Sequence, residues 1–340
     1  MRDRVTAGLD VSTLCYAPPV VILDEPIAGE RAWTRASLSW RDVVIPVPDA
    51  CLAELDATVA LLTSRPEPLT SLVPEALPAC RRFLTGVQAT LLHGVGHVVL
   101  DRIPVERYGL AANRAIAWLL ARLLGAVVSQ TWTGTYLYDV KDSGKSLGYG
   151  VRRSVTNLAQ PFHTDGPWLW MPPAFVGLLC VQPGQEGGLS RATSLLTAHN
   201  EMRRRHPDLL PRLYGAFAWD RQAEHGPDDP RVSSHPVFAY DGGTLCARYY
   251  EDYVVKGHAL TGDPLDEAGA EALAALRAIV DHPDHWVEFR LDRGQFQFLN
   301  NRQIAHCRTA FQDEPERGRH MIRVWARDEG TPHLEGRAVA

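Results

Sequence analysis

A change of hydrophobic period at Gly125 constrains this chain more than any other feature. Before it, Ala112, Ile116, Leu119, Leu120 and Leu123 form a helical stripe, which predicts a helix over 105–124 ending at Gly125. Further upstream, Leu52, Leu55, Val59 and Leu62 predict a helix starting near Asp49, and a second is expected over 79–92. Strands are expected at 38–46 and 97–100. After Gly125 the pattern becomes short β-like runs at 131–139, 175–181, 235–240, 244–249, 287–291 and 295–300. Two helical stretches, 194–205 and 265–280, interrupt them. Helices first and many short strands after predict an α+β protein built on a central β-barrel or sandwich.

Neither a repeat nor a low-complexity linker divides the 340 residues, and 224–231 reads as an exposed loop. The net charge of −5 argues against nucleic acid or an anionic membrane as partner. Arg203, Arg204 and Arg205 stand beside Glu201 on an expected helix and read as a solvated face. Cys15, Cys51, Cys80, Cys180, Cys246 and Cys307 form no CxxC pair, as in a reduced protein with buried thiols. With no long uncharged apolar stretch and no leader-like start, a cytoplasmic protein acting on a small molecule is expected. Oligomeric state is not legible.

In Pro161-Phe162-His163-Thr164-Asp165-Gly166, residues two apart in a strand face the same way, so His163 and Asp165 project together and Thr164 turns away. A distant His306 would complete a two-histidine, one-carboxylate facial set. That set leaves metal positions open and suits non-haem Fe(II) with a cosubstrate and O2. Arg319 and Arg323, four apart in a strand-like run, would share a face. Two inward guanidinium groups need anions: either acids of the fold, or a bound carboxylate such as that of an α-keto acid. A zinc hydrolase using the same three ligands, and a non-catalytic β-barrel binding protein, are the rival readings. The hydrolase leaves the arginine pair unexplained.

The segments around His163 and Asp165, Gly187-Gly188-Leu189-Ser190, Leu299 to Arg302 with His306 to Phe311, and Arg319 to Trp325 occur in an order that resembles the taurine dioxygenase and clavaminate synthase-like family of Fe(II)/2-oxoglutarate oxygenases. The likeness runs from about Trp33 to Arg327. It implies a double-stranded β-helix (jelly-roll) core flanked by helices. The organisation would be an arm over 1–32, a single domain over 33–330 with a helical part 49–125 and a jelly-roll core 130–327, and a tail over 331–340. It implies His163, Asp165 and His306 as catalytic iron ligands. Ser190 and Arg319 would hold the distal carboxylate of 2-oxoglutarate, and Arg323 would serve cosubstrate or substrate. It also implies oxidation of a C–H bond with release of succinate and CO2. Asp165 as a ligand favours hydroxylation, or desaturation or oxidative cyclisation, over halogenation.

The loop 166–174 carries Trp168 and Trp170. They either wall a substrate pocket or pack on the barrel rim or a subunit contact. Asn157, with Tyr149, Arg152 and Arg153, precedes the ligand strand and is a further substrate candidate. Arg248, Tyr249 and Tyr250 are weaker ones.

Overall fold

The computed structural model describes residues 20–314, 316–328 and 334. Most of the expected arm and tail, and Cys15, lie outside the described residues. From Leu23 to Trp33 the chain lies along the helix Leu195–Arg205. Asn200 holds both the N–H and the C=O of Ile27, at 2.9 and 2.8 Å, and the Ser194 and Thr197 hydroxyls donate to the carbonyls of Arg31 and Trp33.

Two sheets form the core. The larger runs in the order Val44–Pro46, His97–Asp101, Phe296–Asn300, Phe175–Gln182, His320–Arg327 and Ala126–Val128, with Leu137–Val140 also paired to His320–Arg327. The smaller runs Trp286–Phe289, Ser190–Ser194, Ile304–Arg308, Gln160–His163. Val99, Cys180, Leu299 and Met321 of the first pack with Ala192, Val287, Phe289 and Ile304 of the second, so the sheets face each other.

The strand His320–Arg327 shows why its sequence reads as nearly continuous hydrophobic residues. Ile322, Val324 and Ala326 pack under the helix Leu110–Leu124, against Ile116, Leu120 and Leu124. Met321, Arg323 and Trp325 alternate onto the other face, between the sheets. Both faces are buried, so a strict apolar–polar alternation is lost.

The helices Asp49–Ser64, Pro78–His93 and Leu110–Leu124 lie on the outer side of the large sheet. The third starts five residues later than expected. Its buried Asn113 donates to the carbonyls of Val105 and Tyr108, which holds the preceding segment as a turn. The expected strand 38–46 is a one-turn helix, Trp40–Val43, before a short strand, because Ser39 and Asp42 form a capping box. The expected strand 131–139 shrinks to Leu137–Val140, and Ala126–Val128 was not anticipated. The expected strand 235–240 is two, Val232–His235 and Phe238–Tyr240, interrupted at Pro236.

A helix at Glu251–Thr261 was also missed. Gly257 lets it lie directly on the strand Phe217–Asp220, since a Cβ there would sit 2.3 Å from the Ala218 carbonyl oxygen. The five described cysteines are free and buried, and no helix among the described residues is long and apolar enough to cross a membrane.

Candidate metal centre and its cavities

Antiparallel pairing of Gln160–His163 with Ile304–Arg308 sets His306 directly across from His163, with ring centroids 4.3 Å apart. Asp165 follows just past the strand end. One donor atom from each of His163, Asp165 and His306 lies within 4.8 Å of the others. The sequence spacing therefore becomes a cluster. Thr164 turns away as the strand period requires, and its amide and hydroxyl pair with the backbone of Tyr249 at 2.8 and 3.1 Å.

His163 and Asp165 are each oriented by neighbours. Nδ1 of His163 donates to the Pro161 carbonyl at 2.9 Å, which leaves Nε2 as the lone-pair nitrogen. The Gln160 side-chain amide donates to Nε2 at 2.9 Å. His306 is buried, and its Nδ1 has no partner. Burial pushes its pKa down to about 3, so the ring is the neutral imidazole that a metal requires.

Burial alone would raise the Asp165 carboxyl. The Arg323 guanidinium beside it instead holds it well below the usual carboxylate range. Asn301 clamps the backbone here, accepting from Asp165 N–H at 2.7 Å and donating to the carbonyls of Asp165 and Pro173 at 2.9 and 3.0 Å.

A cavity of about 40 Å³ opens from this cluster between the two sheets. Its wall includes His163, His306, Ser190, Arg308, Arg319 and Arg323. The two arginines read from the sequence share it but differ in state. Arg323 donates Nε to Gln130 Oε1 at 2.7 Å and has Nη1 3.3 Å from Asp165 Oδ2, so an acid of the fold does pair with it. Arg319 is equally buried, yet its Nε and Nη1 have no partner. Burial pushes its pKa down to about 10. An uncompensated guanidinium at this depth calls for an anion.

Toward the exterior, a small cavity around His163, Asp165, Trp168, Arg152, Arg323 and Trp325 shares Arg153, Tyr250 and Tyr253 with a larger one of about 490 Å³. The larger one is walled also by Leu147, Tyr149, Asp220, Lys256 and Leu260. Tyr250 stacks 5.2 Å from His163 and 4.0 Å from Tyr253. Arg152 is buried against Glu224 and donates to the Gln130 carbonyl.

Trp168 and Trp170, grouped in the sequence reading, part company. Trp168 is buried against Arg152 and Tyr253 beside Asp165. Trp170 is 36% exposed and packs on His235, away from every cavity described above. Asn157 is exposed, and its contribution is a carbonyl that accepts from Phe311 N–H. Neither Trp170 nor Asn157 lines these cavities: Asn157 lies exposed in the bend before the strand Gln160–His163, and the loop crosses the rim between 168 and 170.

Arg248 is deeply buried rather than a surface ion-pair residue. It donates to the carbonyls of Pro167 at 2.7 Å, Leu169 and Trp170. With Ser233 on Trp168 O and Arg327 on Met171 O, it pins the loop. Tyr253, Arg308 and Gln160 are wall or contact residues that were missed. Arg308 had a signal in its two-residue spacing from His306. Tyr253 had none, because the helix that carries it was not recognised.

The donor set is one that divalent iron accepts, the orphaned His306 nitrogen and Arg319 fork are what a metal site beside a carboxylate pocket requires, and the residues therefore fit the pair. The profile described as taurine catabolism dioxygenase TauD, TfdA family matches residues 82–325. The chain is similar to FR-33289 synthase of Streptomyces rubellomurinus, with 26% identity over 90% of this chain and 91% of that one. It is also similar to the taurine hydroxylase-like protein SAT17 of Stachybotrys chartarum, with 24% identity over 88% and 79%. Among solved structures, asparagine oxygenase with Fe(II), 3-hydroxyasparagine and succinate superimposes at a TM-score of 0.66. The identity is 20%, covering 84% of this chain and 94% of that one. The non-haem iron oxygenase OrfP with Fe and α-ketoglutaric acid gives 0.61 at 16% identity, over the same shares. At such identities these structures speak for the fold.

Proposed function

Because the chain belongs to the taurine catabolism dioxygenase TauD, TfdA family, we propose that it hydroxylates an unactivated C–H bond of a small molecule while 2-oxoglutarate becomes succinate and CO2. It is an Fe(II)- and 2-oxoglutarate-dependent dioxygenase. When bound, the iron supplies the oxidising power by activating O2. The balance is one C–H bond, one 2-oxo acid and one O2 consumed, with one oxygen atom in the alcohol and the other in succinate.

The residues divide the remaining work. His163, Asp165 and His306 would hold the metal from one side and leave the other side open. Arg323 and Trp325 keep Asp165 ionised and aimed. Arg319, with the Ser190 hydroxyl, would receive the distal carboxylate of 2-oxoglutarate. The 490 Å³ cavity would receive the substrate, with Tyr250, Tyr253 and Trp168 leading its reactive carbon toward the metal. We read the facing sheets as a double-stranded β-helix within one domain over 33–330. A substrate from natural-product or amino-acid-derivative metabolism fits the size of the cavity and a relative that is a synthase.

The observation that carries this reading is the unpaired Arg319 fork in the same cavity as the three ligand candidates. The test is a small-molecule screen on protein loaded anaerobically with iron, then exposed to O2, reading succinate and product mass. Succinate should require 2-oxoglutarate, and the product should gain one oxygen. Loss of two hydrogens instead would assign desaturation or cyclisation. Turnover that continues without 2-oxoglutarate would sink the proposal.

A further inference from the structure

The ligand strand Ile304–Arg308 carries a second inward group. Arg308 follows His306 by two positions and leaves the same face. It is 6% exposed. One nitrogen of its guanidinium is engaged, Nη2 donating to the Thr156 carbonyl at 3.0 Å and to that of Leu158. The other nitrogens, Nε and Nη1, have no partner. Arg319 has the same deficit at the same two atoms. Both guanidinium carbons lie near the Phe311 ring, at 4.7 and 5.3 Å from its centroid, and both residues line the cavity that holds Ser190, His163 and His306.

Two buried cations side by side, each with unpaired N–H donors, are unfavourable unless an anion enters between them. A carboxylate has two oxygens and about four lone-pair sites, enough to accept from donors of both guanidinium groups. The acids described near these arginines are otherwise engaged. Asp313 Oδ1 accepts from the Arg319 amide, and Asp165 is held by Arg323 and Trp325.

We propose that Arg308 is a second guanidinium of the cosubstrate carboxylate site, and that it couples occupancy of that site to the order of the substrate-cavity wall. The coupling follows from its two sets of donors, Nε with Nη1 on one side and Nη2 on the other. One faces the cavity. The other grips the carbonyls of Thr156 and Leu158, between the wall residues Arg152–Ser154 and the ligand strand Gln160–His163. A carboxylate that fixes the guanidinium fixes both carbonyls as well. An occupied carboxylate site would then firm the wall against which the substrate rests. This rests on the 2-oxoglutarate reading above.

The test is calorimetric binding of 2-oxoglutarate and of 2-oxobutyrate, which lacks the distal carboxylate, to iron-loaded protein under anaerobic conditions. Wild type is compared with Arg308→Lys and Arg308→Gln. Glutamine should weaken 2-oxoglutarate about 10- to 100-fold, the size of a lost charge-assisted pair, and leave 2-oxobutyrate within about twofold. Lysine should weaken it less. A merely structural role would weaken both acids alike, and that result would overturn the proposal. Amide exchange of wild type supplies a readout that needs no variant: 2-oxoglutarate should slow exchange over 155–159, and unchanged exchange would also overturn it. If wild type binds no 2-oxoglutarate at all, the cosubstrate reading itself fails and takes this inference with it.

Discussion

Trp325 donates its indole N–H to Asp165 Oδ2 at 2.8 Å, across the gap between a strand of the large sheet and the end of the ligand strand. Arg323, on the same strand face, reaches the same oxygen at 3.3 Å. The carboxylate is thus aimed by one neutral and one charged donor before any metal arrives. Trp325→Phe deletes the donor and leaves a smaller ring in a fully buried place. Metal affinity should fall about 10- to 100-fold, the usual effect of losing a partner that orients a ligand, and stability should fall by about 1–2 kcal/mol for the lost packing. Metal titration of the two proteins checks this; equal affinities would remove Trp325 from the site's design.

The loop that leaves the site is pinned by its carbonyls, so it should behave as a rigid wall. Arg248 alone donates to three of them from a buried position. Arg248→Ala should lower stability by about 3–5 kcal/mol, because several buried acceptors lose their donor at once. Trp170→Ala, on the exposed side of the same loop, should change it by less than about 1 kcal/mol. Urea unfolding of both variants checks the contrast, and similar losses would contradict it.

These contrasts mark how far the sequence could be read. The clustering of His163, Asp165 and His306 was legible because a strand's two-residue period fixes which side chains share a face, and because the third candidate lay in an apolar strand that had to be buried. Arg319 and Arg323 were legible as inward for the same reason. Their different states were not, since Gln130 and Asp165 reach Arg323 from elements remote in sequence. Trp168 and Trp170 look alike in a loop, where no period applies and only three-dimensional packing separates them. The helix Glu251–Thr261 was hidden because just Tyr253, Val254 and Gly257 of it are buried, too few to impose a helical stripe. In the fold, strand ends were set by local chemistry such as Pro236 and the Ser39–Asp42 capping box, while the two-sheet core followed from the run of short strands.

His97 gives a pH prediction that does not depend on the metal ligands. It is fully buried beside Phe289, both ring nitrogens lack partners, and burial pushes its pKa down to about 3. In the unfolded chain the value is about 6.5. The folded pKa is the lower one, so the unfolded state binds the extra proton in between. Stability is therefore fully present above about pH 6.5 and is lost as pH falls toward 3. His97→Leu should flatten that decline by up to about one proton. Urea titrations of metal-free wild type and variant from pH 7 to pH 4 check this, and parallel pH profiles would refute it.

Gly166 sits where the ligand motif turns into the loop, at φ +60°. An added Cβ would lie 2.7 Å from Leu169 Cδ1 and 3.3 Å from Trp325 Cη2. Gly166→Ala therefore meets two separate penalties, a left-handed backbone that L residues rarely adopt and a clash with packed side chains. Relief of the second would push Trp325, whose indole nitrogen holds Asp165. The expected outcome is a loss of about 2–4 kcal/mol in stability together with weaker metal binding. Trp325→Phe, by contrast, should weaken metal binding at a smaller stability loss of about 1–2 kcal/mol. Measuring both quantities on both variants separates a fault in the turn from a fault in the donor. A Gly166→Ala protein with full metal affinity would show that the turn and the carboxylate are not mechanically linked.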